Sequence, residues 1–222
     1  MNKFKLLIII ALFVTITAIT RVYAYINDYS LLGKVFYLDP GHGGIDSGTT
    51  YKNIYEKDIN LILCKKLEQQ LISHGATVYL TRETDKDLAL TKTNRKRSDL
   101  INRAYLINKT KPDMYLSIHL NYLSNSRYKG LQIFYNNKNK ENKIIAEELT
   151  NNIKELTSNV REPKYNNSYY MYRNITPPGV LIEVGFLSNQ DDRYRLTHEK
   201  YQDIIVDSIT KSIIKYYNKE KR

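Results

Sequence analysis

The stretch VFYLDPGHGGIDSG, residues 35–48, joins an apolar run to a glycine-rich turn that carries a histidine. Residues 35–38 have the composition of a strand buried in a sheet. The next ten residues contain four glycines, two aspartates, one proline and His42. An ordinary connection needs one or two glycines, so His42 is either a turn residue or a ligand held where backbone can come close.

Beyond this turn the chain alternates between strand and helix patterns. Asp58 is placed to cap the first helix and Gly75 to end it. Apolar strands that alternate with helices indicate an α/β fold, namely a single domain with a mostly parallel, twisted sheet of about six strands and helices on both faces. The patterns predict strands over residues 35–38, 76–81, 113–119, 130–135 and 179–186, and helices over residues 58–73, 94–110, about 141–157 and about 198–217.

Residues 1–24 have the layout of a signal peptide or a short N-terminal membrane anchor. Two lysines precede the fourteen-residue apolar run LLIIIALFVTITAI, which is shorter than the roughly 20 residues of a full membrane span. We therefore expect export from the cytoplasm, with the leader either cleaved or retained, and membrane contact only through this leader. The folded domain is predicted over residues 34–217.

Composition narrows the classes of partner and of metal site. A formal net charge of +11 is compatible with nucleic acid, an acidic membrane surface or an anionic polymer such as cell-wall material. The sequence has no RNA-recognition signature, zinc finger or basic heptad region, so nucleic acid is not an expected partner. The single cysteine, Cys64, excludes an internal disulfide and a multi-cysteine zinc site, so a metal would need histidine and carboxylate ligands.

Three polar residues lie near the carboxyl ends of predicted strands, where α/β sheets bind ligands: His42, His119 and Glu183. His119 alone is equally compatible with a buried histidine bonded to backbone. Glu56 precedes a helix, where the helix dipole favours an acid without any other role. Glu183 lies within VLIEVGF, where burial of an unpaired carboxylate costs several kcal/mol. It therefore needs a salt bridge, with Arg103 for example, a metal ion, or a raised pKa as a general base.

Five segments resemble, in order, the motifs of the type-3 class of zinc-dependent N-acetylmuramoyl-L-alanine amidases, which cut the peptide stem from peptidoglycan. The resemblance extends over residues 34–217 and makes this the catalytic domain. Two histidines and a carboxylate are also the ligand set of a catalytic zinc that keeps a fourth position for water. The five segments are LDPGHGGIDSG (38–48), EKDINL (56–61), RAYLIN (103–108), SIHLN (117–121) and LIEVGFLSNQDD (181–192).

The resemblance implies that one zinc ion is held by His42, Glu56 and His119. It implies that Glu183 is the catalytic residue, taking a proton from the attacking water and passing it to the departing nitrogen. Asp39 or Asp46 would orient His42. Asn121 and Arg103 are predicted substrate contacts, with a turn amide and a salt bridge as their alternatives.

The architecture resembles one subgroup in particular, the germination-specific amidases of spore formers, which act on cortex peptidoglycan so that muramic-δ-lactam can form. The interval between His119 and Glu183 is too short for a long autoinhibitory helical insertion, so an accessory regulatory protein or timed expression is expected to provide control. The expected location is the cell wall or the forespore intermembrane space. The alternatives are a vegetative cell-wall amidase, another zinc peptidoglycan hydrolase such as a carboxypeptidase, and an inactive wall-binding module.

Overall fold

The strands and helices follow the predicted order, with several short elements in addition. The structure is a computed structural model that describes residues 3–220, so the first two residues of the predicted leader lie outside the described residues. The elements are α1 (Lys3–Asp28), β1 (Val35–Pro40), β2 (Thr50–Tyr51), β3 (Ile54–Tyr55), α2 (Glu56–Ser73), β4 (Thr77–Leu80), α3 (Arg95–Thr110), β5 (Met114–Asn121), β6 (Gln132–Tyr135), α4 (Glu141–Leu156), β7 (Lys164–Tyr165), a short 3-10 helix (Tyr172–Asn174), β8 (Gly179–Phe186), α5 (Gln190–Leu196) and α6 (Glu199–Glu220).

Six strands form one sheet in the order β4-β1-β5-β8-β6-β7, while β2 and β3 form a separate hairpin. The neighbours β4, β1, β5 and β8 pair in parallel. β6 runs antiparallel to β8 and parallel to β7. The sheet is therefore mostly parallel and has six strands, which confirms the predicted fold class.

Helices cover both faces of the sheet, as predicted, because successive strand residues point to opposite faces. Phe36 and Leu38 of β1 belong to a large core that includes residues of α2, α4 and α6. Tyr37 belongs to a smaller core on the other face, formed with Ala104 of α3 and Tyr172 of the 3-10 helix. Because side chains alternate along a strand, Asp39 of β1 points to the same face as Tyr37, which is the face of this smaller core.

The N-terminus of α2 differs from the sequence prediction. The helix begins at Glu56, so Asp58 lies inside the first turn and is not the cap. The backbone N–H groups of Glu56 and Lys57 donate to the carbonyls of Thr49 and Ser47, so loop carbonyls take the place of a capping side chain. The early start of α2 leaves Glu56 buried, with 1% exposure, at the edge of the sheet.

α1 contains residues 3–24 of the predicted leader. Its segment Lys3–Val22 has a mean hydropathy of 2.1 and is not buried against the domain. The predicted apolar run is shorter than a membrane span, whereas the helix has 26 residues and is long enough to cross a bilayer. A signal peptide and a membrane anchor share this length and composition.

Candidate metal centre and active site

A cleft of about 480 Å³ opens above the carboxyl ends of β1, β5 and β8. His42 follows β1, His119 lies near the end of β5, and Glu183 lies in β8. Glu56 reaches the same cleft from the N-terminus of α2. Residues that are far apart in the sequence therefore converge, as the topology of a parallel sheet requires.

The side chains of His42, Glu56 and His119 meet closely enough to share one metal ion. Nε2 of His42 lies 3.2 Å from Oε1 of Glu56, and Nδ1 of His119 lies 3.0 Å from the same oxygen. One ligand atom from each residue lies within 4.8 Å of the others. Tetrahedral zinc with bonds of about 2.0–2.2 Å requires ligand atoms about 3.3–3.6 Å apart. The donor types therefore fit zinc, and the separations of 3.2 and 3.0 Å lie slightly below this range.

The glycines of the first motif provide space for these ligands. A Cβ atom on Gly41 would lie 2.2 Å from Cε1 of His119. At Gly48, where φ is +65°, a Cβ atom would lie 2.6 Å from Oε2 of Glu56 and 2.7 Å from Cδ2 of His42. His42 itself has a φ of 63°. The turn must therefore combine glycine with an unusual backbone conformation, because side chains there would overlap the imidazoles and the carboxylate.

Glu56 is held by donors on both carboxylate oxygens. Oε1 accepts the backbone N–H of Leu120 at 3.0 Å, and Oε2 accepts that of Thr49 at 2.8 Å. Burial alone would raise the pKa of Glu56, but hydrogen bonds with His119 and His42 lower it well below its ordinary value. Glu56 is therefore an ionised and oriented carboxylate, as a metal ligand must be.

His42 is oriented by Asp46 and not by Asp39. Nδ1 of His42 lies 3.0 Å from Oδ2 of Asp46, which leaves Nε2 facing Glu56. Burial lowers the pKa of His42, but hydrogen bonds with Asp46 and Glu56 raise it to about 9. The same carboxylates that favour a proton on this imidazole would favour a cation in the site.

Arg103 is a fully buried support of the His42 turn. Its guanidinium donates to Asp39 at 2.7 Å, to Asp99 at 2.8 Å, and to the backbone carbonyls of Pro40 and His42 at 2.8 and 2.6 Å. The charges of Asp39 and Asp99 raise the pKa of Arg103 although burial opposes them. With 1% exposure, Arg103 matches the salt-bridge alternative better than a direct contact to substrate. Its partners are these aspartates and not Glu183.

Arg82 is a second buried support, which sequence reasoning missed. Its guanidinium donates to the carbonyls of Pro40 at 2.9 Å, Gly41 at 3.0 Å and Lys57 at 2.7 Å. Together with Arg103 it holds the three successive carbonyls of Pro40, Gly41 and His42. The only signal in the sequence is an arginine directly after the predicted strand 76–81, and such arginines are usually exposed.

A buried chain of hydrogen bonds continues from Arg103 below the cleft. Tyr172 donates to Ser117 at 2.9 Å, and Ser117 donates to Oδ2 of Asp39 at 2.6 Å. Thr81 donates to the other oxygen of Asp39 at 2.7 Å. Sequence reasoning missed Ser117 and Tyr172 because no local pattern relates them to Asp39.

Glu183 has the least support of the buried acids in the site. It is 7% exposed and lies beside His119 in the pairing of β5 with β8. Its Oε2 has no hydrogen-bond partner within residues 3–220. Burial and the charge of Glu56 raise the pKa of Glu183 to about 8. Glu183 thus lies beside the predicted ligands, and the fold does not use its capacity to exchange a proton.

Asn121 lies at the edge of the same cleft. Its side-chain oxygen accepts the backbone N–H of Tyr122 at 2.8 Å, so it serves as a turn amide. This contact matches the predicted alternative of a turn amide. The position of Asn121 on the cleft wall is also compatible with the predicted contact to substrate.

Comparison with known proteins gives a consistent result. The family model Amidase_3, described as N-acetylmuramoyl-L-alanine amidase, matches residues 36–215. The germination-specific N-acetylmuramoyl-L-alanine amidase of Bacillus subtilis is 41% identical over 198 residues, covering 86% of this chain and 82% of that protein. The probable cell wall amidase LytH of Staphylococcus aureus is 32% identical over 192 residues, covering 85% of this chain and 60% of that protein.

Solved structures include two similar amidases. The CwlD amidase of Clostridioides difficile, solved in complex with the GerS lipoprotein, has a TM-score of 0.79 and 37% identity, covering 84% of this chain and 99% of that one. The catalytic domain of the amidase CwlV from Bacillus (Paenibacillus) polymyxa has a TM-score of 0.73 and 30% identity, covering 83% of this chain and 98% of that one.

Proposed function

The chain belongs to the Amidase_3 family of N-acetylmuramoyl-L-alanine amidases and is an enzyme of that class, and we propose that it works with one zinc ion held by His42, Glu56 and His119. The observation that carries this proposal is the convergence of the three ligand atoms within 4.8 Å. When bound, zinc would polarise the scissile carbonyl and bring the pKa of a water molecule to about 7, which suits hydrolysis of an unactivated amide.

Glu183 is proposed to move the proton. It would take the proton of the attacking water and deliver it to the departing nitrogen of L-alanine, a role that contributes roughly 10² to 10⁴ in rate. Its unpaired Oε2 and its place beside His119 support this role. Burial that raises its pKa towards neutrality favours a group that must both accept and release a proton.

The other polar residues are proposed to position the ligands and the substrate. Asp46 fixes the ring of His42, while Arg82 and Arg103 fix the backbone on either side of it. Such partners matter because a ligand that can rotate binds its metal less tightly. Asn121 is proposed to contact an amide of the substrate at the cleft edge. Arg103 is proposed to act indirectly, by holding the backbone of the turn that carries His42.

The biological substrate is proposed to be spore cortex peptidoglycan, modified to muramic-δ-lactam for germination. The germination-specific relative at 41% identity supports this assignment. The likeness to a cell wall amidase at 32% identity makes vegetative wall the second candidate substrate. Because CwlD was solved with a lipoprotein, we propose an accessory protein for this chain as well.

Residues 1–24 are proposed to be a signal peptide or membrane anchor, and residues 34–217 the catalytic domain. The apolar segment Lys3–Val22 supports this division. The enzyme would then act outside the cytoplasm, where its polymeric substrate lies.

Metal analysis and product masses test the proposed function. We expect the domain to bind about one zinc per chain in a titration, and His42→Ala to lose that binding. Digested peptidoglycan should yield free muramic acid carboxyl groups and intact peptide stems. Faster release from cortex-type than from vegetative-type material would support the germination role. Shortened stems with an uncut muramoyl amide would contradict amidase action on this substrate.

A further inference from the structure

One face of α3 forms a wall of the cleft. Lys96, Asp99, Leu100 and Arg103 all line it, and their spacing of three, four and seven residues places them on one helix face. Arg103 is the inner end of this wall, since it contacts the carbonyl of His42 at 2.6 Å. Lys96 is the outer end. At 1.5 Å per residue, the seven-residue interval between them extends about 10 Å along the helix axis, away from the turn that carries His42.

The cleft continues beyond this wall as a shallow groove. Lys96, Leu100 and Tyr170 line both the cleft and the groove, which is bounded further out by Asn94 and Arg97. A chain that leaves the metal centre along α3 would therefore pass Lys96 and Leu100, which line both cavities, on its way to Arg97.

The outer end of this path carries uncompensated positive charge. The guanidinium carbons of Arg97 and Arg173 lie 5.1 and 5.9 Å from the centre of the Tyr170 ring, and cation–π attraction favours both positions. Neither arginine has an acidic partner within 4.0 Å in the described part of the chain. Lys96 lies 3.7 Å from Asp46, but its side chain is 72% exposed.

The neighbouring charges do not cancel this patch. Arg95 pairs with Asp87 at 2.9 Å, so it adds little to it. Asp99 is buried and pairs with Arg103, so it offers no negative charge to the groove. The outer groove is therefore a cationic site beside a tyrosine ring.

We propose that Lys96, Arg97 and Arg173 bind a carboxylate of the peptide stem while the muramoyl amide lies at the metal centre. The inference rests on the amidase function, and it assigns the outer groove to the peptide side of the scissile bond. Stem peptides carry free carboxylates beyond L-alanine, and guanidinium groups bind carboxylates with strong, charge-assisted hydrogen bonds.

The length of the wall selects which carboxylates fit. An extended peptide advances about 3.3–3.6 Å per residue, so a path of about 10 Å corresponds to roughly three residues. The carboxylates in reach are those of the second and third stem residues. The carboxyl group of L-alanine is bonded to the second stem residue before and after cleavage, so it offers no carboxylate to this site.

Two pairs of synthetic muramoyl peptides test the proposal. The first pair differs only in a free carboxylate or a carboxamide on the second stem residue. The second pair has diaminopimelate or lysine as the third residue, which adds or removes a carboxylate there. The wild-type enzyme should prefer the free carboxylate of at least one pair by about tenfold in kcat/KM, mainly through KM. The pair that discriminates identifies the residue bound.

Variants connect this preference to the groove. Arg97→Ala combined with Arg173→Ala should remove the preference by weakening only the carboxylate peptide, and Arg97→Glu should weaken it further. Lys109→Ala, an exposed cation at the other end of α3, is the matched control and should behave like wild type. Binding of the uncleaved peptides to Glu183→Gln, measured by calorimetry, should follow the same order without turnover.

Three results would count against the site. Equal kcat/KM within both pairs, with both peptides cleaved, overturns the carboxylate site and leaves the amidase function intact. A preference that persists in the double variant places the recognition elsewhere. Cleavage of none of the four peptides, by enzyme loaded with zinc, counts against the function and the site together.

Discussion

The two buried glutamates of the cleft, one at the start of α2 and one in β8, have opposite surroundings. Glu56 is 1% exposed and Glu183 is 7% exposed, so burial does not distinguish them. Glu56 receives hydrogen bonds on both oxygens, and its pKa is lowered. Glu183 has an oxygen without a partner, and its pKa is raised to about 8. The role of a buried carboxylate is therefore decided by the donors around it.

The difference originates in the two backbones. Loop 47–49 folds over the start of α2, so the free N–H of Thr49 points at Glu56, and Leu120 adds a second donor beside the irregular end of β5. Glu183 lies within a strand that pairs on both sides, with β5 and β6, so the neighbouring backbone groups are used by the sheet. The start of a helix can therefore orient a carboxylate with backbone donors, whereas a central strand can present a carboxyl group that has an oxygen without a hydrogen-bond partner.

Glu183→Gln is the variant with the largest expected effect. Because Gln keeps the shape but cannot accept a proton, amide cleavage should fall by about 10³, within the range for loss of a general base. Zinc affinity should stay within about twofold of wild type, since Glu183 is not one of the proposed ligands. The two measurements are product release from peptidoglycan and a zinc titration.

The exposed substitution Glu147→Gln serves as the control for loss of one negative charge and should leave both quantities unchanged. If Glu183→Gln kept most of its turnover, proton transfer would have to be assigned to another group. If it lost zinc instead, the contrast between the two glutamates would fail.

The second prediction compares Glu56→Gln with Glu183→Gln in protein stripped of metal by a chelator. The pKa of Glu183 is higher in the fold than its ordinary value of 4.5, so ionisation destabilises the fold as pH rises from about 4.5 to 8. Glu183→Gln should therefore be more stable than wild type at pH 8, by about 2–4 kcal/mol, and the gain should vanish below pH 4.5.

Glu56→Gln should have the opposite effect. The pKa of Glu56 is lowered in the fold, so its stabilising contribution is present above its ordinary value of 4.5 and is lost as pH falls below it. The substitution should destabilise the protein by about 2–4 kcal/mol at neutral pH, because it leaves two imidazoles without their carboxylate. Urea unfolding at pH 4 and pH 8 measures both changes. The same sign for both variants at pH 8 would contradict the comparison.

Much of this arrangement could be predicted from the sequence, because the strand and helix patterns are local and the motifs with His42, Glu56 and His119 lie at element ends. The start of α2 could not, since its cap is provided by loop carbonyls and sequence patterns reveal only capping side chains. The hairpin Thr50–Tyr55 has strands of two residues, too short to show a period. Arg82 and Tyr172 contribute through hydrogen bonds to residues distant in sequence, which no spacing rule identifies.

The third and smallest effect is expected for Asp46→Asn. It replaces the carboxylate that contacts Nδ1 of His42 at 3.0 Å, while the bond from Arg103 to the His42 carbonyl remains. We expect zinc affinity to fall about 10- to 100-fold, the usual cost of losing a carboxylate behind a histidine ligand. At saturating zinc, kcat should change little, because Glu183 and its surroundings are not altered.

The control for this variant is Asp207→Asn, which removes a half-buried carboxylate that pairs with Lys211 on α6, outside the cleft. Unchanged zinc affinity in Asp46→Asn would mean that the backbone held by Arg103 and Arg82 is sufficient to orient the imidazole. A large fall in kcat at saturating zinc would instead show that the surroundings of His42 affect proton transfer by Glu183. If Glu56 holds the ion and Glu183 moves the proton, as proposed, zinc affinity and turnover must respond separately to substitutions in the cleft.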